Sequence, residues 1–287
     1  MSNENSIINF GDLSKPATAL IEKVSDALGG YFKPYQIKRI AKAEAEAEII
    51  KAQAQIEVTD LQRRALGRFV IEEAMKQNNI EKITEKAIPQ LGDTATPQDM
   101  EDDWVTNFFD KCRIISDEEM QSLWAKVLAG EANSPGKFSK RTVNFLGDLD
   151  KRDAELFTAL CRFGWFIGSF TPLIFDPEAS IYNDTGLNFN TFTHLDSIGL
   201  IQFGGVSGFK RTRLPKKFTV SYCGAPIVLT MEKDEGNELS IGKVLLSKVG
   251  MELVSVCQAP GVEGFVDYVK EKWKNYLPKN EDTEPVA

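Results

Sequence analysis

From Pro34 to Met75 the chain interleaves charged residues with small and branched apolar ones, has no glycine before Gly67 and no second proline, and consists almost entirely of helix formers. The pattern predicts one continuous helix, roughly 65 Å long at 1.5 Å per residue. A helix of that length is too long to lie inside a domain of this size, so it projects or pairs with another chain. With Ile37 at heptad position a, Ile40 falls at d, Ala47 and Ala54 at later d positions, Val58 and Leu61 at a and d, and Ala65 at the next a. Glu44 and Lys51 interrupt the a series. Two readings follow: a close dimeric coil seamed by small residues, or a solvated helix held by intrahelical ion pairs that packs on the next helix of its own chain. Gln77-Asn78-Asn79 reads as a break, after which a helix over 80–88 turns back toward a loop over 89–97.

Elsewhere the apolar spacing predicts a mainly α protein. Ser14 caps a helix with Pro16 in its first turn and Ala17, Leu20, Ile21, Val24 and Leu28 on one face, ending at Gly29-Gly30. Thr96-Pro97 starts a helix with the stripe Met100, Trp104, Val105, Phe108, Phe109 and Cys112. Ser116 and Glu119 form a capping box for the next, where Met120, Leu123, Trp124, Val127 and Leu128 keep helical spacing. A third helix carries Val143, Leu146 and Leu149.

Beyond Asp150 the period changes. A helix with Leu156, Phe157, Leu160, Cys161 and Trp165 precedes a short helix over 191–198, a strand over 200–203, a hairpin over 217–231 turning at Gly224-Ala225-Pro226, a strand over 244–246 and a helix over 250–257. A terminal amphipathic helix follows over 265–276. That order is what a winged-helix-like module produces. The expected architecture is thus a long projecting N-terminal helix, a helical core and a C-terminal winged-helix-like α+β module. The expected regions are 1–13 (disordered), 14–90 (amphipathic and long helices), 96–149 (helical core), 150–278 (winged-helix-like module) and 279–287 (acidic tail).

Composition narrows the setting. With 287 residues, 42% hydrophobic and 26% charged, the chain can bury a sizeable core. No apolar run reaches membrane-spanning length and the first twelve residues lack the features of a secretory signal, so a cytoplasmic location is expected, with peripheral membrane contact left open. The four cysteines, Cys112, Cys161, Cys223 and Cys257, are widely spaced in apolar surroundings with no CxxC pair. They read as reduced core thiols, not as a disulfide framework or a zinc site. The net charge of −8 concentrates in the middle of the chain, which argues against a general nucleic-acid coat. One basic segment stands apart: Lys210, Arg211, Arg213, Lys216 and Lys217, the candidate phosphate contacts of a nucleic-acid-binding reading. Against it, the candidate recognition helix NFNTFTHLDSIG has no Arg or Lys.

Catalytic patterns are not found, and no cofactor is expected. His194 is the one histidine, which excludes a histidine-based metal cluster within one chain. The stretch from Gly130 to Lys137 superficially resembles a phosphate-binding loop, but it follows a helix, has the wrong glycine spacing and has Phe138 where a hydroxyl residue is required. Gly204-Gly205-Val206-Ser207-Gly208 lacks dinucleotide spacing. Asp102, Asp103, Asp117, Glu118 and Glu119 could hold a divalent cation, yet they sit in first turns of helices, where the dipole favours acids anyway.

The run DDWVTNFFDKCRIISDEEMQSLWAKVLAGEANSPGKFSKRTVNFLGDLDKRDAELF, followed by HLDSIGLIQF, resembles a bacterial protein family built on a domain of unknown function, with a likeness extending from about Ala19 to Pro278. A looser likeness links Met120 to Glu131 and the Gly199-Leu200-Ile201 corner to abortive-infection proteins of the Abi-alpha type, which implies a setting in phage defence. The Ala-Glu-rich helix is similar in composition to stomatin and flotillin coils. Three function classes are carried forward. The favoured one is a non-enzymatic interaction or assembly protein, its partner a second copy or another protein. The others are a nucleic-acid-binding regulator and a metal-dependent enzyme using the clustered carboxylates.

Overall fold

The computed structural model describes residues 13–29, 59–257 and 259–277. The polar start over 1–12, the heptad positions Ile37, Ile40, Ala47, Ala54 and Val58, and the acidic tail over 279–287 lie outside the described residues. The protein is mainly helical with antiparallel strands, and it divides into two units between Asp148 and Leu149.

In the first unit, helix α1 (Lys15–Ala27) starts as its sequence dictates. Ser14 Oγ accepts the Ala17 N–H at 3.3 Å, and Pro16 sits in the first turn, where its missing N–H costs nothing. Its buried stripe, Ala17, Leu20 and Val24, faces the 3-10 turn Pro97–Asp99 and the third helix.

Helix α2 (Asp60–Ala87) departs from the sequence reading at both ends. Among the described residues it starts at a cap, Thr59, and the stretch before that residue lies outside them. Thr59 is extended, and it makes a capping box: Thr59 Oγ1 accepts the Gln62 N–H at 3.4 Å while Gln62 Oε1 accepts the Thr59 N–H at 2.9 Å. Helix α2 does not break at Gln77-Asn78-Asn79. Asn79 is buried; its Nδ2 donates to the Arg113 carbonyl at 2.9 Å, and its Oδ1 accepts from Gln121 Nε2 at 3.2 Å. The amide that would end a solvated helix is used across helices instead, so tertiary bonding overrides local propensity.

Helices α3 (Asp102–Cys112), α4 (Glu118–Asn133) and α5 (Lys140–Gly147) complete the unit. Thr96-Pro97 starts only the 3-10 turn, and α3 begins after Glu101. The cap of α4 is Asp117, one residue past the expected Ser116; its Oδ1 accepts the N–H groups of Glu119 and Met120 at 3.0 Å each. Predicted stripes bury as expected. Trp104 stacks on Phe108, Phe108 meets Trp124 edge to face at 5.1 Å, and Trp104 Nε1 donates to the Phe138 carbonyl at 2.7 Å.

The second unit begins with α6 (Lys151–Cys161) and a hairpin of β1 (Gly164–Phe166) and β2 (Phe170–Pro172), neither strand anticipated from sequence. Helices α7 (Ser180–Asn183) and α8 (Phe189–Ser197) follow, the latter capped by Asn188 Oδ1. Six more strands are β3 (Ile201–Phe203), β4 (Phe209–Leu214), β5 (Lys217–Tyr222), β6 (Ala225–Thr230), β7 (Asn237–Gly242) and β8 (Val244–Leu246). They form an antiparallel sheet in the order β2-β1-β5-β6 and two antiparallel pairs, β3-β8 and β4-β7. The β5-β6 hairpin turns on Cys223-Gly224, both at positive φ, which suits a tight turn matched to strand twist. Helix α9 (Lys248–Leu253), a 3-10 turn (Val254–Val256) and α10 (Phe265–Lys272) end the described fold before the last 3-10 turn (Lys274–Tyr276). The core is aromatic: Phe265 lies 4.9 Å from Phe163 and 5.5 Å from Tyr222, and Trp165 stacks on Tyr222 and meets Trp273 edge-on.

Candidate interaction surface

The two halves of α2 have opposite environments. Its C-terminal half is buried through Asn79, Ile80, Ile83, Thr84 and Ala87 against α4, and Lys82 and Lys86 both pair with Glu118, whose carboxyl the Lys86 and Lys82 ammonium groups hold below the usual range. Its N-terminal half carries Leu61, Phe69, Ile71 and Met75 at 69%, 59%, 63% and 58% exposure. Leu61, Ala65 and Phe69 recur every four residues and so share one stripe, with Ala65 also exposed. Around them lie helix-stabilising pairs, Asp60 with Arg64, Arg68 with Glu72 and Glu73 with Lys76, which support the helix where these side chains are exposed. The heptad reading named Leu61 and Ala65. It stopped at Ala65; carried on, the same register puts Met75 at d, while Phe69 and Ile71 lie outside it and an i, i+4 count from Leu61 reaches Phe69.

The basic segment spans β4 and the start of β5, with Lys216 in the connection between them. Lys210 pairs with Glu238 at 3.0 Å and Lys216 with Asp234 at 2.9 Å, while Arg211 donates to the Ile167 carbonyl and to Ser169 Oγ. Arg213, at positive φ, and Lys217 are exposed and have no ion pair among the described residues.

The clustered carboxylates separate. Asp102 pairs with Lys23, Asp103 with Lys140, Asp117 caps α4 and Glu118 holds two lysines. Among the described residues no group of three or more His, Cys, Asp or Glu side chains could hold a metal ion. The glycine loop after α4 has its own anion: buried Glu131 accepts the Gly136 N–H at 2.6 Å and the Phe138 N–H at 2.8 Å, occupying the amides a phosphate would need. His194 Nε2 lies 2.7 Å from Asp153 Oδ1, joining α8 to α6.

The family model "Protein of unknown function (DUF2806)" matches residues 63–270. This chain belongs to that family. No curated protein and no solved structure matches it. The matched span starts inside α2, later than the expected Ala19, so Phe69, Ile71 and Met75 fall within the family's domain and Leu61 just before it. Among the described residues no helix is long and apolar enough to cross a membrane.

The cysteines are not uniformly core thiols. Cys112 and Cys161 are buried, Cys257 is half-buried, and Cys223 is exposed at its hairpin turn. Cys257 lies against the end of α6, where Thr158 donates its hydroxyl to Cys257 Sγ at 3.9 Å and Cys161 is its neighbour, a contact with the segment after the Val254–Val256 turn that no sequence motif announces.

Proposed function

We propose that this protein is a non-enzymatic assembly protein that associates with a second copy of itself through the N-terminal half of α2. The observation that carries the reading is the contrast within one helix: the half that meets its own unit is buried, and the half that does not presents Leu61, Phe69, Ile71 and Met75 to solvent. Isolated exposed apolar residues are ordinary, but four on sixteen residues of a capped helix form a patch whose burial favours association. We read the second unit as winged-helix-like, and what supports this is the succession of α8, β3, the inserted strands, β8 and α9. In this reading the module presents a protein-binding surface, since three of its five clustered basic side chains are already engaged within the chain.

The double replacement Leu61→Ser with Phe69→Ser tests the assembly reading. Each buried side chain is worth about 2 kcal/mol, so the two together weaken self-association by roughly a hundredfold or more. Sedimentation equilibrium reads the dissociation constant, and circular dichroism checks that helix content is retained. An unchanged constant, or no self-association in the unaltered chain, overturns the proposal.

A further inference from the structure

The observation that no activity or assembly absorbs is the meeting of two thiols from distant parts of the chain. Cys161 ends α6 and is 8% exposed; Cys257, more accessible, follows the Val254–Val256 turn. Thr158, one turn before Cys161 on α6, donates its hydroxyl to Cys257 Sγ at 3.9 Å, and Cys257 is near enough to Cys161 to influence its thiol. The surrounding backbone is tied down. Arg162 Nε donates to the Pro260 carbonyl at 3.1 Å, Tyr222 donates its hydroxyl to the Arg162 carbonyl at 2.8 Å, and that same hydroxyl accepts the Val262 N–H at 2.6 Å. The two segments that carry the cysteines are therefore held together by contacts that do not depend on either thiol.

We propose that Cys161 and Cys257 form a dithiol modification site that hydrogen peroxide closes into a disulfide. Cys257, the more accessible sulfur, with a hydroxyl donor beside it, attacks as the thiolate. Its sulfur bonds to one peroxide oxygen, the O–O bond breaks, and the departing hydroxide takes up the thiol's proton to give water and a Cys257 sulfenic acid. Cys161 then attacks that sulfur, the S–O bond breaks, and the Cys161 proton leaves with the hydroxide as a second water. Two thiols and one peroxide thus give one disulfide and two waters. The neighbouring Cys257 and burial hold the Cys161 thiol well above the usual range, which suits the resolving partner better than the first nucleophile. The bond would fasten the end of α6 to the segment leading into α10, closing a loop that contains all eight strands.

The reduced full chain, treated with hydrogen peroxide, blocked with N-ethylmaleimide after unfolding and digested with trypsin without reductant, tests this. The expected product is peptide 153–162 joined to peptide 249–270, two hydrogens lighter than the pair and separated by dithiothreitol. Two maleimides are then expected on the chain's four cysteines, and the melting temperature is expected to rise until dithiothreitol is added. Cys161→Ser is expected to leave Cys257 as a sulfenic acid that dimedone traps, whereas Cys223→Ser, altered at the exposed turn, keeps the linked peptides. The proposal is overturned if Cys161 still takes maleimide after peroxide treatment, or if the linkage that forms runs to Cys223. The unaltered chain alone decides between these, so the answer does not rest on the variants folding.

Discussion

Phe265→Ala is expected to destabilise the second unit by about 3–5 kcal/mol, the largest effect of any single truncation considered for this protein. Phe265 is fully buried at the start of α10, and its ring meets Phe163 and Tyr222 edge-on and stacks near Tyr268 at 6.2 Å. Removing it opens a cavity and also forfeits several aromatic pairs at once, each worth about 0.5–1.5 kcal/mol beyond its area. The neighbours cannot collapse into the space easily, because Tyr222 is pinned through its hydroxyl to Arg162 and Val262, and Tyr182 through its own to Leu173. Urea unfolding should show a lower midpoint at an unchanged slope. A loss under about 1 kcal/mol would mean that the aromatic cluster is loosely packed.

Glu131→Ala is expected to cost roughly 3 kcal/mol, because two N–H groups held by a buried carboxylate lose their acceptor. Glu131 is 2% exposed and orders the loop that brings the Phe138 carbonyl to Trp104 Nε1. The pH dependence has a definite sign. Burial raises the Glu131 carboxyl above its usual range, outweighing the backbone N–H donors that lower it. The folded state therefore binds this proton more tightly than the unfolded chain does. The stability this group contributes is fully present below the ordinary carboxylate pKa and is lost as pH rises through the raised one. Glu131→Gln, a neutral isostere, should accordingly show a larger deficit relative to the natural chain at acid pH than at neutral pH, measured by urea unfolding across that range. A deficit that grows with pH would contradict the assignment.

The helical elements were legible where period and caps agreed. Ser14 and Pro16 started α1 where expected, and the stripes of Trp104, Phe108 and Trp124 buried as spaced, because those signals are local and tertiary packing reinforced them. The misreadings have equally local causes. Thr59 and Gln62 form a readable capping box that the strong helix propensity around them concealed. Asn79 looked like a breaker because its preference for turns is a property of solvated chain, whereas here Arg113 and Gln121 satisfy it. Strands β1 and β2 are three residues each, too short for an alternation to show, and β4 is written in Lys and Arg because it pairs with Glu-bearing β7. The exposed part of the interaction surface was half legible: Leu61 and Ala65 followed from the heptad, whose next d positions reach Met75, while Phe69 and Ile71 fall outside a strict a/d count. The Cys161–Cys257 contact and the Glu131 loop anchor could not be read, since nothing near either cysteine points to the other and the loop carries no capping pattern.

The central claim is that the exposed half of α2 joins two copies of this chain. Light scattering on the full-length protein after size exclusion tests it most directly. The expected mass is twice the 32.0 kDa of one chain, falling toward a single chain when Leu61 and Phe69 are replaced by Ser. A mass of one chain for the unaltered protein across the accessible concentration range would contradict it.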